Sequence, residues 1–347
     1  MGRYGRGAGG CRQRHSQGGG IVSCKKVTRS LATSDHSYRT TTENENPQAQ
    51  QQGDQLRPIS SQSENQANGP TRKIQFIIGP PIETPRHFFG RQLILKRLFN
   101  LLKTRPLQNA AIIGQRRSGK TSLLNYLRTI TTTPPEQLRP GQRSNWLPQA
   151  ERYRWIYVDF QDARMAHRQD LLQYLLESMQ LPVPHPCDLE RFMEQVSGRV
   201  QVPTVILMDE VGVGLQRCPE LDDGFWESLR SLANQTNGNL AFVLATPEHP
   251  MDLARNTGHS SPFFNIFGYT KTLGPFTEAE AQEFIDYVNL PLSQEDIDWL
   301  REHSGRSPLL LQILCRERMF SLEEGETDDD WHEEGLKQIQ PFIDLLN

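Results

Sequence analysis

Lysine is scarce in this chain of 347 residues: 8 lysines stand against 30 arginines, and between Thr104 and Thr270 there is one, Lys120. Where arginine is the default cation, a solitary ammonium invites a chemical explanation. Cysteine is sparse as well. The five cysteines (Cys11, Cys24, Cys187, Cys218 and Cys315) form no C-x-x-C pair. That excludes a zinc ribbon and a disulfide framework, and it fits a reducing cytosol. No apolar run approaches the roughly 18 residues of a membrane span, so the sequence predicts a cytoplasmic protein without membrane association. Neither sign of charge dominates. A net charge of −3 is too small to steer the chain to DNA or to an anionic membrane.

Acids are missing from the first 34 residues, which hold seven basic groups, leaving 35–347 with a balance of −10. Residues 1–70 contain 15 hydrophobic residues, and between Thr41 and Gly69 they include seven Gln and four Asn. Such a stretch buries too little apolar surface to offset its ordering entropy, and the composition predicts a disordered tail. Three readings of its start stand together: a transit peptide, a misassigned start codon, or a plain extension. The glycines spoil the amphipathic helix a transit peptide needs.

From residue 71 onward, strand and helix signals alternate. Gln92–Leu102 has the apolar spacing of an amphipathic helix. Short apolar runs predict strands at 110–113, 155–160, 203–208, 240–245 and 269–273. Helices are predicted over 121–130, 167–181, 188–196 and 222–234, and 134–151 reads as a loop insertion. Strands separated by helices imply a parallel sheet covered on both faces. Beyond Pro275 only helices follow. Thr277 with Glu280 makes a capping box, Ser293 with Glu295-Asp296 opens a second helix, and further helices are read over 308–319 and 328–346. The fold class is therefore α/β: a P-loop NTPase core over 71–275 with a parallel sheet flanked by helices, then a small helical lid over 276–347.

Gly114-Gln115-Arg116-Arg117-Ser118-Gly119-Lys120-Thr121 matches G-x-x-x-x-G-K-[ST], with Ser122 next. A strand precedes it and a helix follows. Gly114 turns the chain out of the strand, and Gly119 lets backbone N–H groups close on phosphate oxygens at a helix N-terminus. Lys120 supplies the charge for the β- and γ-phosphates, and the Thr121 hydroxyl is a Mg²⁺ ligand. Arg116 and Arg117 either add charge to the phosphates or point to solvent. A later strand ends in Asp209-Glu210. Asp209 would hold Mg²⁺, directly or through water, and Glu210 would polarise an attacking water. Because consecutive strand residues point to opposite sides, the two acids would divide these roles. Thr246, at the end of the 240–245 strand, either contacts γ-phosphate or the attacking water, or simply ends the strand before Pro247. Asp159 and Asp162, after a strand, either face the nucleotide rim or cap the loop, with capping the favoured role, and Phe225 with Trp226 is read as packing. His249, His259 and His303 lack metal-ligand spacing. The acidic run 323–330 is a solvated loop or a docking site for a basic partner.

These pieces resemble the STAND branch of P-loop ATPases, related to AAA+ and origin-recognition ATPases and most similar to bacterial, particularly cyanobacterial, members. The likeness covers about 79–320. It is carried by Phe88-Phe89-Gly90-Arg91 before the P-loop, by the Walker A-like 114–122, by Asp209-Glu210 as Walker B, by 273–277 as the entry to the lid, and by Ser304–Gln312 as the lid motif. The resemblance implies that Gly90 and Arg91 line the nucleotide pocket and that Pro308 lies near the base. It also implies ATP and Mg²⁺ as cofactors, slow hydrolysis, and a nucleotide-dependent switch read by a protein partner. The chain departs from the family at Gln92 and Ile94, where acids are usual, in the two residues separating Gly305 from Pro308, and in Pro247-Glu248-His249-Pro250, where an arginine is common. Two other readings stand: a DNA-associated AAA+ or origin-recognition-like ATPase, disfavoured by the acidic C-terminal region, and a non-hydrolysing nucleotide-binding scaffold. There is no guanine-specifying N-K-x-D run, which favours adenine.

Overall fold

The computed structural model describes residues 76–325 and 330–346, all within one unit, Gly69–Asn347. The expected tail over 1–70 lies outside the described residues, as do positions 326–329 of the acidic run.

Five parallel strands make one sheet: β1 (Ala110–Ile113), β2 (Arg154–Asp159), β3 (Thr204–Asp209), β4 (Leu240–Thr246) and β5 (Tyr269–Thr272). Their spatial order is β2-β3-β4-β1-β5. β3 and β4 are buried throughout, which is why they read as unbroken apolar runs rather than as alternation. Their side chains still divide by parity. Val205, Leu207, Ala241, Val243 and Ala245 face one core; Ile206, Met208, Phe242 and Leu244 face the other.

The first core is closed by α1 (Gln92–Lys103) and α2 (Lys120–Thr129). α1 buries Ile94, Leu95, Leu98, Phe99 and Leu102, the stripe its spacing predicted. Each such side chain contributes about 1.5–3 kcal/mol when fully buried. The second core is closed by α3 (Arg168–Ser178), α4 (Leu189–Val196), α5 (Val211–Arg217), α6 (Asp223–Gln235) and α7 (Pro250–Asn256). Trp226 sits in its middle, among Phe160, Phe225, Phe263 and Phe264.

The insertion over 134–151 is not a bare surface loop. It holds two 3-10 turns, and Trp146 and Leu147 are buried against α1, with Trp146 stacked on Phe99. Arg139, from the same segment, is buried too.

The lid has a third core. α8 (Glu278–Val288) and α9 (Gln294–Ser304) each begin with a complete capping box, Thr277 with Glu280 and Ser293 with Asp296. α10 (Pro308–Glu324) runs longer than its spacing suggested, and α11 (Asp330–Ile339) ends in a 3-10 segment, Gln340–Leu346, instead of continuing as one helix. Phe89 packs into this lid core, whereas its neighbour Phe88 packs into the first core. The two rings thus tie one short segment to both halves. Among the described residues, no helix is long and apolar enough to cross a membrane.

Candidate functional site

β1 lies between β4 and β5, so the segment leaving its C-terminal end emerges at the carboxyl edge of the sheet. In open α/β sheets, ligands bind at that edge. Gly114 follows β1, and its N–H donates to Thr246 O at 3.1 Å. The loop then curls, with Arg117 and Gly119 both left-handed (φ 67° and 95°), into the first turn of α2. No atom lies within 4 Å of where a Cβ on Gly119 would project. Its left-handed backbone, not crowding, is what calls for glycine there.

Lys120 is the first residue of α2 and is buried. Its ammonium donates to Gly114 O at 2.8 Å and Gln115 O at 3.0 Å, so it arches back over the loop. Burial lowers its pKa, partly offset by the charges of Glu210 and then Asp209. The Ser118 hydroxyl is buried without a protein partner. An ammonium held only by carbonyls, an orphaned hydroxyl and a helix N-terminus form a cradle whose chemistry fits a phosphate chain.

The cradle opens into a cavity of about 390 Å³ between the sheet edge and the lid, within the usual size of ligand pockets. Arg116, Arg117, Ser118, Gly119, Lys120, Thr121 and Ser122 line it, with Asp209 and Glu210 opposite. The lid contributes Phe276, Phe284, Pro308, Leu309 and Gln312. Arg91 lines it as well; Gly90 does not, but its φ is 67° and a Cβ there would meet the Phe276 ring at 2.9 Å. Gly114, Gln115 and Thr246 lie outside the lining. Thr246 is fully buried and its hydroxyl donates to Glu248 O at 2.7 Å, an arrangement that ends the strand. Ser122 spends its hydroxyl on the incoming chain, accepting the Ile82 N–H at 3.0 Å. Arg116 and Arg117 are exposed, and the Arg117 guanidinium lies over the Phe342 ring at 4.7 Å.

The two acids do not diverge by strand alternation. β3 ends at Asp209, and Glu210 is left-handed (φ 52°), the N-cap of α5, so both face the same cavity. Asp209 is 1% exposed. It accepts the Glu210 N–H on Oδ1 and the Tyr157 hydroxyl on Oδ2, each at 2.9 Å. Burial pushes the Glu210 carboxyl above its usual range; Asp209 adds to this, while Lys120 pulls it back. Glu210 also faces a second cavity, lined by Arg116, Lys120 and Arg217.

Sequence reasoning did not single out Tyr157, His87 or Gln312, all of which line the first cavity. Gln312 accepts the Ile77 N–H at 3.1 Å and fastens the incoming chain to the lid. Asp159 lines the cavity too, since the β2–β3 register places it beside Asp209, and its Oδ1 caps the Gln161 N–H at 2.9 Å. Asp162 caps the 3-10 turn that follows.

Residues 105–249 match the family model described as AAA domain, a span from just before β1 to the loop before α7. No curated protein matches the sequence. Among solved structures, the chain is similar to the Walker-type ATPase of Pyrococcus abyssi (19% identity, 76% of each chain, TM-score 0.48). It is also similar to domain III of the Thermotoga maritima replication initiation protein DnaA (17% identity, 76% of this chain and 98% of that one, TM-score 0.46). A third likeness is to the Aeropyrum pernix ORC2 protein in its ADP form (13% identity, 75% and 70%, TM-score 0.48). With its parallel five-stranded sheet, its P-loop and the family match over 105–249, the α/β half has a P-loop AAA fold.

Proposed function

We propose that this chain is a STAND-like ATP-binding switch that hydrolyses ATP slowly and passes its nucleotide state to a protein partner through the angle of the lid. The observation that carries the reading is the lining of one cavity by the P-loop, by Asp209 and Glu210, and by α10 of the lid. A ligand filling it touches both halves, so its presence and its γ-phosphate bias how the halves sit, as in hinge closure.

The P-loop backbone and Lys120 would hold the phosphates; Thr121 and Asp209 would hold Mg²⁺. When bound, Mg²⁺ supplies charge neutralisation at the β- and γ-phosphate oxygens. Glu210, with its carboxyl raised by burial, is suited to accept a proton from an attacking water. Pro308, Leu309 and Phe284 offer an apolar surface for a base, and neutral His87, whose pKa burial lowers, adds one donor and one acceptor.

Two variants separate binding from turnover. Lys120→Ala is expected to lose ATP binding. Glu210→Gln is expected to keep it and lose hydrolysis. If both bind and hydrolyse like the parent, the site assignment is wrong.

A further inference from the structure

Asp209 is gripped by a residue that belongs to none of the nucleotide motifs. The Tyr157 hydroxyl donates to Asp209 Oδ2 at 2.9 Å, while the Glu210 N–H holds Oδ1. The torsion that turns a carboxylate about its own axis is soft and has broad minima. Two donors on two different oxygens remove that freedom. Each oxygen keeps a lone pair after accepting one hydrogen bond, so the grip orients the group without blocking it.

Tyr157 is itself held in place. Strand register pairs it with Leu207, two positions before Asp159 meets Asp209. Its carbonyl accepts the Tyr174 hydroxyl at 2.7 Å. Its ring lies under the Arg128 guanidinium at 5.0 Å.

We propose that Tyr157 is a positioning residue for the divalent cation: its hydroxyl fixes the Asp209 carboxylate in the orientation that Mg²⁺ requires, so the affinity ATP gains from Mg²⁺ depends on that hydroxyl. The inference rests on the MgATP reading of the site. Partners that orient a metal ligand change metal affinity by about 10–100-fold when removed.

The test is calorimetric titration of the full chain with ATP, once in EDTA and once in excess Mg²⁺. Tyr157→Phe retains the ring and its contact with Arg128 and removes only the donor. Its Kd in EDTA is expected to stay within about twofold of the parent's, while the ratio of the EDTA and Mg²⁺ values falls about tenfold or more. A packing role would weaken both values together and leave the ratio alone. Tyr157→Met is the second variant should the first fold poorly, and Tyr174→Phe, which loosens the strand but keeps the Tyr157 hydroxyl, is expected to preserve the ratio. A parental ratio in Tyr157→Phe overturns the inference while the MgATP reading stands, provided the parent binds and Lys120→Ala does not. If the parent binds no ATP in Mg²⁺, the reading and the inference fall together.

Discussion

Arg91 is joined to the lid through Glu280, 189 positions along the chain: its backbone N–H donates to Glu280 Oε1, while Oε2 of the same carboxylate accepts the Thr277 N–H at 3.0 Å. One side chain therefore closes a helix cap and fastens the Phe-Phe-Gly-Arg segment. The Arg91 guanidinium completes the junction, donating to Gly274 O at 2.6 Å and Pro275 O at 3.2 Å. Arg91, which the family resemblance implied as a pocket residue, thus also pins its segment to the lid.

Glu280→Ala should cost about 1–2 kcal/mol of stability, since it removes a cap and leaves the Arg91 N–H without its partner. Ser293→Ala removes the exposed N-cap of the second capping box. It should cost about 1 kcal/mol or less. Urea unfolding of the two variants measures the difference. Equal losses would mean that the Arg91 contact contributes nothing.

Arg139 makes the other fastening. It donates to Phe88 O at 2.6 Å, lies over the Phe89 ring at 4.0 Å and pairs with Glu283 on α8. Its side chain is 4% exposed but that of Glu283 is 41% exposed, so solvent screens the pair and its worth is discounted from the fully buried case. Arg139→Ala, which also bares the Phe88 carbonyl and the Phe89 face, is expected to lose about 2 kcal/mol. Glu283→Gln is expected to lose less than 1 kcal/mol. Denaturant midpoints order the two variants, and the reverse order would remove Arg139 from the junction.

Glu210 predicts a pH-dependent stability of definite sign. Its pKa is raised in the folded chain, chiefly by burial. Such an acid contributes stability that is complete below its unfolded pKa and is lost as pH rises through the folded value. Glu210→Gln removes the cost of the buried charge, so it should melt higher than the parent near pH 7–8. The gap should close as pH falls toward about 4.5. A gap that stays constant with pH would place the effect elsewhere.

The parts of the site legible in sequence are those where one residue type has one physical use. The P-loop glycines and Lys120, the acid ending β3, and both capping boxes are of this kind. What stayed hidden depends on tertiary placement. The expectation that Asp209 and Glu210 point apart assumed that the strand continues, but it ends at Asp209 and Glu210 turns left-handed. α5 escaped notice because two glycines within seven residues lower its helix propensity. Arg139 sits in a stretch whose prolines and polar residues read as loop, and nothing local marks it as buried. Tyr157 looked like any aromatic strand residue, because the carboxylate it holds lies 52 positions away. Thr246 was open between two roles, and its hydrogen bond to the Glu248 carbonyl is the local one.

The most direct test of the switch is amide hydrogen exchange on the full chain with and without MgATP. The account predicts simultaneous protection of two separated segments, the P-loop with the start of α2 (Arg116–Thr121) and the first turn of α10 (Leu309–Gln312), because both line the one cavity. Protection should vanish at both in Lys120→Ala. Protection of the P-loop alone, with Leu309–Gln312 exchanging as in the nucleotide-free chain, would contradict a ligand shared between core and lid.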